Sequence, residues 1–201
     1  SNIVGKYSGM VQKALAKLSS ARIGAICPLH GLVWRSDPAR VIGLYDRWSR
    51  YEADDAAVVI YASMYGNTAQ MADHIARRIA EAGVRDIRVY DVSKTHVSYL
   101  ISEIWRCRGV LLGSCAYNTQ MFPLMENLTR DLLHAGPKDR LLGVFGTYSW
   151  NGGGVKNLNA FAEQIGWETV APSAEILGRP TCEKYAACDA LADAMACRLK
   201  K

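Results

Sequence analysis

Three short segments of this 201-residue chain carry the side chains with the most to offer chemically, and each follows a run rich in apolar, β-forming residues. The first, Ala62-Ser63-Met64-Tyr65-Gly66-Asn67-Thr68, gathers hydroxyl and amide groups around one glycine and runs into a helix-forming stretch. Free N–H groups and the macrodipole at a helix N-terminus favour an anion, so a phosphate is expected here. The segment has no lysine and shows neither the G-x-x-x-x-G-K-[ST] nor the G-x-G-x-x-G spacing. Hydroxyls and backbone N–H groups without lysine or metal suit a permanently bound monophosphate better than one being transferred.

The second segment is Ser114-Cys115-Ala116-Tyr117-Asn118-Thr119-Gln120-Met121-Phe122-Pro123, and the third is Gly146-Thr147-Tyr148-Ser149-Trp150-Asn151-Gly152-Gly153-Gly154. Tyr117, Tyr148 and Trp150 offer flat apolar faces among amides and glycines, which is what a flat heteroaromatic ring requires. Residues 62–72, 114–125 and 146–162 contain no Asp or Glu. Nothing in them repels a phosphate dianion or an anionic ring, and nothing there invites Mg²⁺, which takes carboxylate oxygens. Other uses of such loops fail on residue type. A phosphoacceptor site needs aspartates where Ala62-Ser63 and Ser114-Cys115 stand. A thiol phosphatase needs cysteine and arginine around the phosphate loop, and the G-x-S-x-G elbow of serine hydrolases is absent.

The elements that must position these segments follow a regular alternation. Ala57-Val58-Val59-Ile60-Tyr61 is a near-continuous β-rich run, the pattern of a strand covered on both faces. Further strands are expected at 87–92, 109–114, 141–147 and near 170–177. Between them lie helices carrying Met71, Ile75 and Ile79 with Gly83 as C-cap, then at about 97–105, 123–134 and 155–165, and a last one at about 183–198. Five strands alternating with five helices indicate an α/β fold with a five-stranded, parallel, doubly wound sheet. In such sheets ligands bind beyond the carboxyl ends of the strands, where all three segments fall.

Ahead of this unit the pattern differs. Val4, Tyr7, Val11, Ala14, Leu15 and Leu18 recur at helical spacing, Pro28 to Gly31 is a turn, and Asp37-Pro38 opens a second helix with Val41, Tyr45 and Trp48 facing inward. The first fifty residues hold eight Lys and Arg against Asp37 and Asp46, so the net charge of +5 belongs to this front segment. That placement argues against a nucleic-acid partner. The boundary falls at 52/53, giving a front unit at 1–52, too small to fold alone, and an α/β unit at 53–201. Six cysteines, none in a C-x-x-C pair, read as reduced thiols. No apolar run approaches the roughly 20 residues of a membrane span, and no leader-like pattern opens the chain, so a cytoplasmic location is expected. The start at Ser1 suggests a processed or truncated chain.

The residues resemble a known family. Ser63 to Thr68 is similar to the phosphate loop of flavodoxins, and the Tyr117 and Trp150 segments sit where flavodoxins place their flavin-flanking loops. More specifically, Tyr117-Asn118 with Met121-Phe122-Pro123, and Gly146 to Trp150 with Gly152-Gly153, resemble the flavodoxin half of flavodiiron proteins. Pro28-Leu29-His30-Gly31, Trp34-Arg35 and Asp37-Pro38 resemble the last stretch of that family's metallo-β-lactamase-like diiron domain.

The resemblance implies a flavodoxin-like three-layer sandwich holding FMN. Its phosphate would lie on Ser63, Tyr65, Gly66, Asn67 and Thr68. Its ring would lie among Cys115, Ala116, Tyr117, Asn118, Thr147, Tyr148, Trp150 and Gly152, with Met64, Ser114, Ser149 and Gly153 completing the set. His30 matches the family's last iron ligand, but the H-x-E-x-D-H run is missing, so no metal site and no complete catalytic site are expected in this chain. The diiron centre would belong to the full-length protein. There the flavin would take electrons from a rubredoxin-like carrier or an NAD(P)H-dependent reductase, for delivery to O2 or NO in a head-to-tail homodimer. Two alternatives stand beside this electron-transfer module: a self-sufficient NAD(P)H:quinone reductase on the same fold, and a non-redox module for an anionic aromatic ligand.

Overall fold

The computed structural model describes residues 5–200. Val4, where the sequence pattern begins the first helix, lies outside the described residues. Helices α1 (Ser8–Leu18) and α2 (Pro38–Ser49) form the front segment. Then follow β1 (Asp54–Ala62), α3 (Asn67–Glu81), β2 (Ile87–Asp91), α4 (Val97–Arg106), β3 (Cys107–Cys115), α5 (Pro123–Ala135), β4 (Leu141–Tyr148) and α6 (Gly154–Ile165). Two short strands, β5 (Glu168–Thr169) and β6 (Ala174–Leu177), precede α7 (Ala186–Leu199). All pairings are parallel, in the order β2-β1-β3-β4-β5, with β6 also paired to β4. This is the flavodoxin-like doubly wound α/β fold.

The expected fifth strand is present as two pieces on the same neighbour, Glu168–Thr169 against Leu141–Leu142 and Ala174–Leu177 against Phe145–Tyr148. Pro172 lies in the gap, and a residue without an N–H cannot extend a ladder. The sheet's two faces explain the unbroken apolar run of β1. Val58 and Ile60 pack with Leu100, Ile104, Met125, Leu128 and Leu158 from α4, α5 and α6. Ala57 and Val59 pack with Met71, Ile75, Ile79, Leu191 and Met195 from α3 and α7. Each Val, Leu, Ile or Met among them, fully buried, contributes about 1.5–3 kcal/mol of transfer free energy, and Ala57 less. On the surface, Arg78 forks onto Asp193 and His74 Nε2 meets Asp189 at 2.7 Å, tying α3 to α7.

The front segment does not close over its own apolar stripe. Val41 is buried, but Tyr45 and Trp48 stay 41% and 37% exposed, contrary to the inward position their spacing predicts. Two helices and a turn leave a groove of about 640 Å³ between them, lined by Leu15, Leu18, Ile26, Trp34, Tyr45 and Trp48 among others. What anchors the segment is its far end. Gly5 sits so close over Trp105 that any side chain would collide with the indole, and Trp105 Nε1 donates to Trp48 O at 3.2 Å.

Arg140 completes this junction from beneath. It is 1% exposed, and among the described residues its guanidinium meets no carboxylate. Instead it donates to Ile104 O and Trp105 O at the carboxyl end of α4, to Lys138 O, and to Tyr51 O in the link between α2 and β1. A cation there answers helix carbonyls that have no intrahelical partner. Burial pulls the group down to about 10, so it stays charged near neutral pH. Arg140→Met should therefore cost about 2–4 kcal/mol by stranding several buried carbonyls at once. Arg140→Lys should recover only part, because an ammonium lacks the fork. Urea unfolding of the three proteins measures this.

Candidate functional site

Parallel register sets Ala62 beside Ser114 and Ser114 beside Gly146, so the three segments leave the sheet side by side. They do so where the winding reverses between β1 and β3, the position at which open α/β sheets form a crevice. In the first segment Gly66 takes φ 84°, and its N–H donates to Ser63 Oγ at 3.0 Å. Ser63 accepts in that bond and keeps its own hydroxyl proton to donate. No side chain caps the first turn of α3, so its leading N–H groups remain available to an anion. Thr68, one residue into the helix, is fully buried and places its hydroxyl 2.8 Å from that of Thr147 on β4.

The second segment is folded back on itself. Ser114 Oγ donates to Cys115 O at 2.9 Å and accepts from Phe122 N at 3.0 Å. Tyr117 and Gln120 exchange backbone hydrogen bonds of 2.9 and 2.8 Å across Asn118 and Thr119. Those two residues have φ 47° and 62°, the left-handed pair a two-residue hairpin turn requires. Asn accepts that conformation, whereas a β-branched Thr is strained by it. The third segment locks the turn in place: a side chain on Gly153 would begin 2.3 Å from the Thr119 carbonyl. Only glycine allows that approach. Tyr117 meets Phe122 edge-on, with ring centres 6.0 Å apart.

Together these walls enclose a concavity of about 50 Å³ lined by Ser63, Met64, Tyr65, Asn67, Cys115, Ala116, Thr147, Tyr148 and Ser149. It has room for a phosphate-sized group and not for a tricyclic ring. Flat surfaces for a ring stand on the rim, where Tyr65 and Trp150 are each 87% exposed and Tyr117 is 45% exposed. Of the other expected residues, Gly66, Thr68, Ser114 and Gly153 shape the walls, Asn118 caps the hairpin, and Gly152 lies exposed beside them. Burial pushes the Cys115 thiol up, so it lines the cleft as a neutral group rather than a thiolate. The residues present fit a phosphorylated flavin: uncapped N–H groups and hydroxyls at one end, exposed aromatic faces at the other.

A flavodoxin family model matches residues 59–190. The chain belongs to the flavodoxin family. An anaerobic nitric oxide reductase flavorubredoxin of Vibrio vulnificus is 31% identical over 84% of this chain and 35% of its own length. The rubredoxin oxygen:oxidoreductase of Desulfovibrio gigas superposes at TM-score 0.91 and 25% identity, covering 99% of this chain and 50% of that one. A flavodiiron protein of Giardia intestinalis shares the fold at TM-score 0.88 and 22% identity, over 99% of this chain and 51% of its own. The resemblance to flavodiiron proteins is thus borne out. This flavodoxin-like chain spans about a third of the length of the curated relatives it matches and about half of these solved structures.

Beside this cleft, one residue escapes the three segments. Glu175 of β6 brings Oε1 to 3.5 Å from where a side chain on Gly152 would begin, and burial pushes its carboxyl up. The segments themselves are free of acids, but the neighbouring strand supplies one. Only the pairing of β6 with β4 across Gly146 reveals it. His30, by contrast, is exposed on a turn whose ends pair at Ile26 and Trp34. Among the described residues no three His, Cys, Asp or Glu gather as a metal site, and no helix is long and apolar enough to cross a membrane.

The strained turn yields a test. Thr119→Gly should raise stability by about 1 kcal/mol, because relief of the left-handed strain exceeds the entropy that glycine adds to the unfolded chain. Gly153→Ala should lower it by about 2–3 kcal/mol through collision with Thr119. Thermal melts of both variants read the opposite signs directly.

Proposed function

We propose that the chain binds FMN and serves as the electron-transfer module of a flavodiiron-type oxidoreductase. The phosphate would sit on Ser63, Asn67 and the first turn of α3, with the ring against Tyr117, Tyr148 and Trp150. One observation carries the reading: an acid-free, phosphate-sized concavity at a helix start opens directly onto exposed aromatic faces from the two neighbouring loops. When bound, the flavin supplies one- and two-electron transfer. The protein's part is to hold it. Ser63 and the α3 N–H groups would donate to the phosphate, and the hairpin and glycine loop fix the aromatic walls.

Residues 53–201 would form this module, and residues 1–52 would be the end of a metallo-β-lactamase-like diiron domain carrying His30. The groove left by α1 and α2 supports that division, since its apolar lining finds no cover within the described chain. In the whole protein, electrons would come from a rubredoxin-like or NAD(P)H-dependent donor and leave for an O2- or NO-reducing diiron site outside this chain. The names of the Vibrio vulnificus and Desulfovibrio gigas proteins, a nitric oxide reductase flavorubredoxin and a rubredoxin oxygen:oxidoreductase, support that route. A cytoplasmic location and a homodimer of the whole protein belong to the same reading.

Adding FMN to the purified chain should give a stoichiometric bound-flavin spectrum and quench Trp150 fluorescence. A folded chain that acquires neither would overturn the proposal. Ser63→Ala should weaken FMN about 5–10-fold and riboflavin less than about twofold, since the lost hydroxyl faces the phosphate. Sustained NADH oxidation with quinone by the isolated chain would favour the self-sufficient reductase, and rapid electron exchange with little turnover favours the module.

A further inference from the structure

The three segments are free of acids, yet one carboxyl stands beside them. Glu175 shares a row of the sheet with Ala62, Ser114 and Gly146, the residues from which those segments leave. Its neighbours Ala174 and Ile176 are buried with side chains of α3 and α7. Successive side chains of a strand alternate between faces, so Glu175 takes the other one, where a side chain on Gly146 would meet Val155 of α6. There its Oε1 comes to 3.5 Å from where a side chain on Gly152 would begin, two residues beyond Trp150.

Among the described residues nothing neutralises this carboxyl, by hydrogen bond or by ion pair. Lys156 in the first turn of α6 and Arg179 beyond β6 form no pair with it, and Lys184 donates instead to Leu177 O at 2.8 Å. An unpaired carboxylate acts through its full charge on whatever lies against the third segment. Oxidised flavin has an uncharged ring. Full reduction adds two electrons and, above neutral pH, one proton, which leaves the ring with one negative charge. The carboxylate is indifferent to the first form and repels the second.

We infer that Glu175 discriminates between the redox states of the bound flavin, weakening the reduced form and leaving the oxidised form unchanged. The chain then gives up electrons more readily than its acid-free segments alone would allow. The inference deepens the flavin reading above and rests on it. Because Glu175 is exposed, solvent and salt screen its charge, and the effect is a few-fold rather than orders of magnitude.

Anaerobic titration with FMN and with dithionite-reduced FMN, followed by quenching of protein fluorescence, tests this on wild type, Glu175→Gln and Glu175→Asp. Partial burial pushes the Glu175 carboxyl up, so the titrations are run at about pH 8, where it is ionised. Glu175→Gln should bind reduced FMN about fivefold more tightly than wild type, while oxidised FMN changes less than about twofold. Glu175→Asp, which keeps the charge, should stay within about twofold of the wild-type ratio of the two affinities. Salt at about 1 M should at least halve the advantage of Glu175→Gln. The same ratio in wild type and Glu175→Gln would overturn the inference, even with both affinities lowered, since Glu175 would then only support the Gly152 loop. So would a Glu175→Asp protein that behaves as Glu175→Gln, or a difference that salt leaves untouched. Failure of folded wild-type chain to bind oxidised FMN would be a different result, since it would remove the flavin reading itself.

Discussion

In a parallel sheet every strand must return to the same edge before the next can begin, and here that constraint does most of the functional construction. Ala62, Ser114 and Gly146 occupy one row across β1, β3 and β4, with Cys115 and Thr147 in the next. Whatever follows those residues must emerge at one level and within reach of its neighbours. A helix begins beyond each, so helix N-termini also collect there. The concavity at the start of α3 and the aromatic rim are thus two consequences of one ladder. Close approach is enforced at Gly146, where a side chain would begin 2.3 Å from Ser114 O.

Register alone would leave three neighbouring loops free to move, and different contacts join them pairwise. Between the first and third segments the link is the Thr68–Thr147 hydroxyl pair. Between the second and third it is backbone against backbone, with Gly153 seated on the Thr119 peptide and Ala116 N donating to Thr147 O at 2.9 Å. The hairpin that carries Tyr117 holds Thr119 in a conformation β-branched residues avoid. That cost, of order 1–3 kcal/mol, is sustained because Gly153 and the paired Tyr117–Gln120 hydrogen bonds over-determine the turn. A site arranged before its ligand arrives spends less of the binding free energy on ordering.

Most of this was legible in the residues because alternation and turn chemistry are local. The β-rich run of β1, the glycine of the loop before α3 and the aromatic segments each announce themselves within ten positions. What was not legible needed distances between remote parts of the chain. The break in the fifth strand shows locally as Pro172, yet that both pieces stay on β4 is a matter of pairing. Glu175 reaches Gly152 only through that pairing. Thr68 reads as a cleft residue from its place after Gly66 and Asn67, whereas its burial follows from the strand beneath it. Arg140 reads as an ordinary charged residue before a strand. Nothing nearby tells that carbonyls from residues 51, 104 and 105 converge on it.

The same contrast separates the two parts of the chain. The α/β unit satisfies itself: both sheet faces are covered, and among the described residues no fully buried side-chain polar atom lacks a partner. The front segment satisfies itself at one end only, where Gly5, Trp48 and Tyr51 meet Trp105 and Arg140. Helical periodicity correctly predicted that Tyr45 and Trp48 share an apolar stripe, but periodicity says which residues share a face and not what covers it. Since Leu29 and Leu32 are also largely exposed, the front segment's apolar surface exceeds what its own two helices can bury. Arg140 fixes that segment through backbone carbonyls rather than side chains. The anchorage therefore depends on the path of the chain at Tyr51 and the end of α4, and it tolerates whatever side chains cover the groove.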